Sequence, residues 1–332
     1  MSRGTELARI ALLAKRFGGA HGLKGDARID VGIGDDAAVL EPAAAPLVWT
    51  IDAQVEGTHF RLDWLGWEDV GWRSFMAAAS DLAAMGAVPL AALSALALAD
   101  EVDDAALDAL ARGQADAAST VSAPIVGGNL ARGKETSVTT TLLGYADRPI
   151  LRSSARVGDG LYLAGAVGMA AAGLLALERG VASAADPSIA ACIQAWRRPR
   201  ALIDRGLAMR GIASAALDIS DGLSRDASHI AEASGVTLVV EEALLRARAA
   251  GTLTSAASLL GLDVLDLVLR GSGEDYALLV TSPSPIEGFD RIGVVESAAS
   301  GSGSDTASGG LTLVRVDGTR APVDPKGFDH FG

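Results

Sequence analysis

The chain has 332 residues, of which 49% are hydrophobic and 21% charged, with a formal net charge of −13 and a single cysteine. That length exceeds one small core and predicts two domains. The acidic balance excludes a general nucleic-acid binder, which needs clustered Lys and Arg against phosphates. One cysteine excludes a disulfide framework and a Cys-rich zinc site, and fits a reducing compartment.

The opening segment MSRGTELARIALLAKRF is amphipathic, carries charges throughout and lacks the apolar core of a signal peptide. No stretch approaches ~18 uninterrupted apolar residues, so no membrane partner is predicted and the expected location is cytoplasmic. PLVWTI reads as a strand ending at Asp52, and WEDVGWRSFMAAASDLAAMG as a helix stopped by Gly86. PLAALSALAL is a predicted strand, followed by a helix over DEVDDAALDALARGQADAAS. APIVGG reads as a short buried strand breaking into a glycine turn, and TSVTTTLLGYA as a β-branched strand.

A boundary falls near Asp147–Arg156, where Pro149 and the polar RSSARVGDG follow the strand signal. It predicts an N-terminal domain over 1–148 and a C-terminal domain over 149–332. The second half restarts with strand GLYLAG and helix GMAAAGLLALERG. SIAACIQAW is an apolar helical pattern that makes Cys192 a buried, inert thiol. SAALDIS is a strand leading into helix DGLSRDASHIAEASG; GVTLVV, DYALLVTS and RIGVVES are further strands. Ser297–Gly310 is low in complexity and reads as a loop, and LTLVRVDGTRAPV as a hairpin around Asp317-Gly318.

The chemistry sits in acidic clusters with small neighbours: GIGDDAAVL with Asp35 and Asp36, VWTIDAQVEGTHF with Asp52, SDLAAMGAVP with Asp81, and ALDISDGLSRDA with Asp218, Asp221 and Asp226. Hard Mg²⁺ ions take oxygen ligands and share them between carboxylates and substrate phosphates. No G-x-x-x-x-G-K-[ST] loop exists, and GIGDDA lacks the third glycine of G-x-G-x-x-G. The pattern therefore reads as a Mg-nucleotide enzyme whose phosphates are held by metal. Each residue also has a plainer role open to it. Asp35 and Asp36 suit a turn, Ser220 or Asp221 suits a helix N-cap, and His59 and Phe328 suit packing.

The order GIGDDAAVL, VEGTHF, SDLAAMGAVP, a GG turn, LRSSARVGDGLYLAG, DISDGLSRDASHI, SGEDYALL and KGFDHF resembles the thiamine-monophosphate kinase family across nearly the whole chain. That family belongs to the superfamily of aminoimidazole-ribonucleotide synthetase. The resemblance implies an α/β (α+β) two-domain synthetase-like fold, its N-terminal sheet domain forming a β-barrel shared within a homodimer. It implies that Asp36, Asp52, Asp81, Asp218, Asp221 and Asn129 ligate several Mg²⁺ ions. Gly128, Asn129, Arg152 and Ser220 would contact ATP, and His59, Glu274 and Phe328 would line the thiamine-phosphate pocket. No covalent nucleophile or general base is assigned.

The implied reaction is ATP plus thiamine phosphate giving ADP and thiamine diphosphate by direct in-line transfer. The chain departs from the family at Asn129, where the turn usually carries Asp, at Ala78, and at Ser272 before Gly273. Asn129 matches a second reading, an amidine- or aminoimidazole-forming synthetase of the same superfamily; VEGTHF and KGFDHF count against it. A paralogue that binds nucleotide without turnover is the third, and retention of five Asp positions counts against that.

Overall fold

The computed structural model describes residues 5–17, 29–31, 33, 37–42, 45–181, 186–298 and 310–328. Asp35, Asp36 and most of the low-complexity run lie outside them. The chain clusters into two units: Met1–Leu82 with Ala87–Asp147, and Ala83–Gly86 with Arg148–Gly332.

In the first unit, helix α1 (Glu6–Arg16) is capped by the Thr5 side chain, which accepts from the Ala8 amide. Strands β1 (Ile29–Val31) and β2 (Val39–Leu40) form a small antiparallel pair. The main sheet uses β3 (Leu47–Val55), β4 (Val88–Leu98), β5 (Ile125–Arg132) and β6 (Ser137–Tyr145), in the order β3-β6-β4-β5. Helix α2 (Trp67–Ala84) joins β3 to β4, and α3 (Asp104–Thr120) is the crossover that lets β4 and β5 run parallel. Asp103 starts α3 by accepting from the Ala106 amide at 2.8 Å.

One face of this sheet is apolar and covered; β3 alternates accordingly. Beneath it sits a buried polar network. Ser94 donates to Gln114 Oε1 at 2.9 Å, and the Gln114 amide reaches the hydroxyls of Ser74 and Thr140 at 3.3 and 3.4 Å. All four residues are buried. On the other face Leu47, Trp49 and Ile51 are 58, 71 and 66% exposed, an uncovered apolar row.

The expected β-barrel is not present. The sheet is open, with β3 and β5 as its edges among the described residues. Closure requires the two edge strands to hydrogen-bond each other, and here each edge has a neighbour on one side only. Two local expectations also change. Strand β3 continues to Val55, so Asp52 lies within the strand and not at its end. β5 runs straight through GGNLAR with a bulge near Gly127, so the glycine pair is not a turn.

The second unit is a seven-stranded mixed sheet, β13-β12-β9-β11-β7-β10-β8. Its strands are β7 (Gly160–Ala164), β8 (Ala215–Ile219), β9 (Val236–Glu241), β10 (Ala277–Ser282), β11 (Asp290–Ser297), β12 (Gly310–Val314) and β13 (Arg320–Val323). Its principal helices are α4 (Met169–Glu178), α5 (Pro187–Arg197), α6 (Ile203–Ala208) and α7 (Leu223–Ser234). Three short helices the sequence reading left unassigned follow, α8 (Glu242–Arg248), α9 (Thr252–Leu259) and α10 (Val264–Arg270). β8 and β10 are buried along their whole length, which fits their apolar stretches Ala215–Leu217 and Ala277–Val280, with Asp218 as the one charged residue between them. Cys192 is buried in this core, and burial pushes its thiol up to about 11. The β12–β13 hairpin turns at Asp317-Gly318, where the Asp317 carboxylate accepts from the Thr319 amide at 2.9 Å.

β7 and β8 both run antiparallel to β10, which lies between them. Their C-terminal ends therefore leave the sheet on one edge, beside the entry to β10. Three loops meet there: 165–168, 220–222 and 271–276.

Gln114→Leu should lower stability by about 1–3 kcal/mol, because it takes the shared partner from the buried Ser94 and Thr140 hydroxyls and one donor from Ser74, which still donates to Gly71 O. An unchanged urea-unfolding midpoint would show that the network does not hold this unit together.

Candidate active site

In the first unit the candidate carboxylates lie on the helix-covered side of the sheet. β3 carries Asp52 in a row with Thr140, Ser94 and Gly128. Asp81, near the end of α2, accepts a short hydrogen bond from Thr50 Oγ1, two residues before Asp52 on the same face. Thr50 thus orients Asp81, a contact with no signal in the sequence. Gly128 has a packing requirement of its own: a Cβ there would lie 1.8 Å from the Ser94 carbonyl oxygen.

Asn129 stands in the next row, with Ala95 and Thr139, and is exposed. The pleat sends its side chain to the face opposite Asp52. The geometry does not bring Asn129 to the Asp52 carboxylate. His59 lies in the turn after β3, and its Nδ1 accepts from the Val55 amide at 3.1 Å. A neutral ring in that pose carries its proton on Nε2. Asp36 lies outside the described residues.

In the second unit the candidate residues converge on one turn. Asp218 is buried in β8 and is followed by Ser220, Asp221 and Gly222 at the mouth of α7. Asp226, from the first turn of α7, folds back and accepts from the amides of Asp221 and Gly222 at 2.9 and 3.1 Å. Burial pushes the Asp226 carboxyl up to about 7, and the nearby charges of Asp221 and Asp218 push the same way. This crowding of acidic oxygens suits a hard divalent cation. Among the described residues no group of three His, Cys, Asp or Glu side chains converges closely enough to hold an ion alone. Phosphate oxygens would have to complete the coordination, as is usual for Mg²⁺.

Two segments grip this turn through the main chain. Glu274 donates its amide to the Ser220 carbonyl at 2.8 Å, and Tyr276 donates to Ile219 at 2.9 Å. From the other side Phe328 donates to the Asp221 carbonyl at 3.1 Å, while Ser224 Oγ donates to Lys326 O at 2.8 Å. The approach is close: a Cβ on Gly273 would lie 2.1 Å from the Ser220 oxygen. Gly273, Glu274 and Tyr276 have φ of 84, 61 and 49°. Two of these are non-glycine residues in the left-handed region, at a cost of order 1–3 kcal/mol each. Trp196 Nε1 donates to Glu274 Oε2 at 2.6 Å. Asp275 accepts from the amides of Gly168 and Ala170 at 2.7 and 2.9 Å, and burial pushes its carboxyl up to about 7.

Asp218, Ser220, Asp221, Glu274 and Phe328 are therefore brought together. Arg152 is not. It is exposed, and its carbonyl accepts from Ser234 Oγ at the far end of α7, whose 12 residues span ~18 Å. Asp226 was visible as an acid in a helix's first turn; the roles of Trp196 and Asp275 had no sequence signal.

Residues 34–146 match the family model of the AIR synthase related protein N-terminal domain, and 156–289 that of its C-terminal domain. The thiamine-monophosphate kinase of Aquifex aeolicus is 33% identical over 305 residues, covering 90% of this chain and 92% of its own. A crystal structure of the Stenotrophomonas maltophilia thiamine-monophosphate kinase superposes with a TM-score of 0.79 at 30% identity, over 96% of this chain and 98% of that one. A structure of AaThiL complexed with AMPPCP and TMP superposes with a TM-score of 0.76 at 30% identity, over 100% and 99%. With matches running through both units and along nearly their full lengths, the chain belongs to the thiamine-monophosphate kinase family.

Proposed function

We propose that the protein transfers the γ-phosphoryl group of ATP to thiamine phosphate, forming ADP and thiamine diphosphate, by direct in-line displacement. The observation that carries this reading is the turn at Asp218–Asp221, hydrogen-bonded on one side to the Glu274 segment and on the other to the Phe328 segment. Carboxylates suited to metal-bound phosphate and the residues of the acceptor pocket thus share one rigid constellation. The AaThiL structure, complexed with AMPPCP and TMP, supports the same pairing of substrates.

The nucleophile is a phosphate monoester, whose second pKa is near ~6, so it is mostly dianionic at neutral pH. It needs no general base. The barrier is to hold two anions in line, so catalysis is positioning and charge neutralisation. Asp52 and Asp81 would hold Mg²⁺ with phosphate oxygens in the first unit, and Asp218 and Asp221 would do so in the second. Bound ions would supply the positive charge that offsets two phosphate groups at close approach. Asp36 completes this set by family resemblance. Asn129 is left out of it, because its side chain leaves the opposite face of the sheet. Gly128, Ser220 and Arg152 are assigned to ATP, with Arg152 reaching a part of the nucleotide distant from the turn. His59 Nε2–H, Glu274 and Phe328 are assigned to the acceptor.

A second copy of this chain is the partner assigned to the exposed Leu47, Trp49 and Ile51 row. Leu93 shares that face, since it stands in register with Thr141 and Ile51. No single helix among the described residues is long and apolar enough to cross a membrane.

A coupled ADP-release assay should show turnover with thiamine phosphate and not with thiamine, which lacks the phosphate that metal would grip. Equal rates with both would end this reading. Asp52→Asn and Asp221→Asn should each cut kcat/KM by at least about 10²-fold, the scale of losing one preorganised electrostatic contact to the transferring phosphate, here through the Mg²⁺ that each carboxylate would hold. The circular dichroism of each variant should stay native; a normal rate at modest Mg²⁺ would remove that residue from the site. By sedimentation equilibrium the protein should be a dimer at micromolar concentration and Trp49→Glu a monomer. A monomeric wild type would exclude the proposed partner.

A further inference from the structure

Ser224 is fully buried in the first turn of α7. A serine at such a position commonly turns its hydroxyl on its own helix, toward a nearby amide or carbonyl. Here the hydroxyl is committed to a residue 102 positions away: Oγ donates to the Lys326 carbonyl at 2.8 Å and accepts from the Lys326 amide at 3.2 Å. One side chain thus takes up both main-chain polar groups of Lys326, as a residue on a neighbouring strand would. Lys326 belongs to the segment that leaves β13 at Val323. Asp324, Pro325 and Lys326 are exposed and lie outside any helix or strand. Gly327 comes next, and a Cβ on it would lie 2.1 Å from the Asp221 carbonyl oxygen, so this approach requires glycine. Phe328 then donates its amide to the same oxygen at 3.1 Å. Residues 326–328 are therefore laid along the start of α7 and the Asp221 turn, and the Ser224 hydroxyl anchors their near end.

We propose that Ser224 is a positioning residue for the acceptor: it latches the 324–328 segment to α7, so that Phe328 already stands at the Asp221 turn when thiamine phosphate arrives. The inference rests on reading Phe328 as part of the acceptor pocket. It adds that this wall of the pocket is a strap of exposed chain held down by one buried side chain. A segment outside helix and sheet would otherwise give up backbone freedom each time the acceptor binds. Only the docked fraction of the strap is competent to bind, so releasing the latch divides the apparent affinity by that fraction. Saturating acceptor draws the strap back into place, so the maximal rate is kept. Asp226 holds the amides of Asp221 and Gly222 without help from the strap, so nucleotide affinity should be unchanged.

Ser224→Ala removes the hydroxyl and little volume. The KM for thiamine phosphate should rise about fivefold, the scale of one neutral hydrogen bond. The KM for ATP and kcat should stay within about twofold. Ser228→Ala is the matched control: it removes a hydroxyl from the same helix, one that donates to the Arg225 carbonyl at 2.6 Å, and all three constants should hold. In a double-mutant cycle, Ser224→Ala should add little to Phe328→Ala alone, because the latch acts through that residue. Additive effects would overturn the proposal. So would a fall in kcat with a rise in both KM values, which would mean that Ser224 supports the helix or the turn. An unchanged KM for thiamine phosphate in Ser224→Ala, with a raised one in Phe328→Ala, would overturn it and leave the acceptor reading intact. An unchanged KM in Phe328→Ala would remove the acceptor reading and the proposal with it. Hydrogen exchange on the unaltered protein guards against a variant that fails to fold. Saturating thiamine phosphate should slow exchange at the Lys326 and Phe328 amides, and ATP alone should not. Equal exchange with and without thiamine phosphate, or equal slowing by ATP alone, overturns the proposal.

Discussion

The Ser220–Asp221 turn is held in place by its own carbonyl oxygens. Ser220 O accepts from Glu274 and Asp221 O from Phe328, while the amides of Asp221 and Gly222 are taken up by Asp226. With two carbonyls and two amides committed the turn is held at four points, and segments distant in sequence are thereby tied to it. For the proposed in-line transfer, which consists largely of bringing two phosphates into position, rigidity of this kind is what a protein can contribute.

The arrangement has energetic costs that the rest of the unit offsets. Asp226 and Asp275 are both pushed up to about 7 by burial. Each binds a proton in the folded state that it would release on unfolding between the ordinary carboxylate range and about 7. Stability from these two groups therefore falls as pH rises through that window. The left-handed backbone at Glu274 and Tyr276 adds strain. Strained, crowded groups persist where the surroundings over-determine them. Here that surrounding is the fully buried pair β8 and β10, with α4, α5 and α7 packed into the same core.

Much of the architecture was legible because it rests on local patterns. The β-branched alternation of Ser137–Tyr145, the Gly-terminated amphipathic helix Leu223–Ser234 and the Asp317-Gly318 hairpin each encode their geometry within a few residues. The three helices between Glu242 and Arg270 were missed because each has eight residues or fewer, about two turns, too short for periodicity to stand out. GGNLAR was read as a turn because paired glycines usually mark one. In the fold they let β5 approach β4 within a continuous parallel pair. The barrel expectation failed for a different reason. Whether a sheet closes is decided by what its edges pair with, and no strand encodes that alone.

By itself the sequence carried the resemblance to the family: the ordered motifs from GIGDDAAVL to KGFDHF match it along nearly the whole chain. Only the tertiary structure decided which of those residues meet. Strand register sent Asn129 and Asp52 to opposite faces, since a one-residue offset along a strand reverses the side of the sheet. The parallel run of β7 and β8 on either side of β10 gathered three loops at one edge, and with them came Trp196 against Glu274, 78 residues apart in the chain. Contacts of that separation arise from strand order and helix packing, which are properties of the whole unit and leave no local trace in the residues that make them.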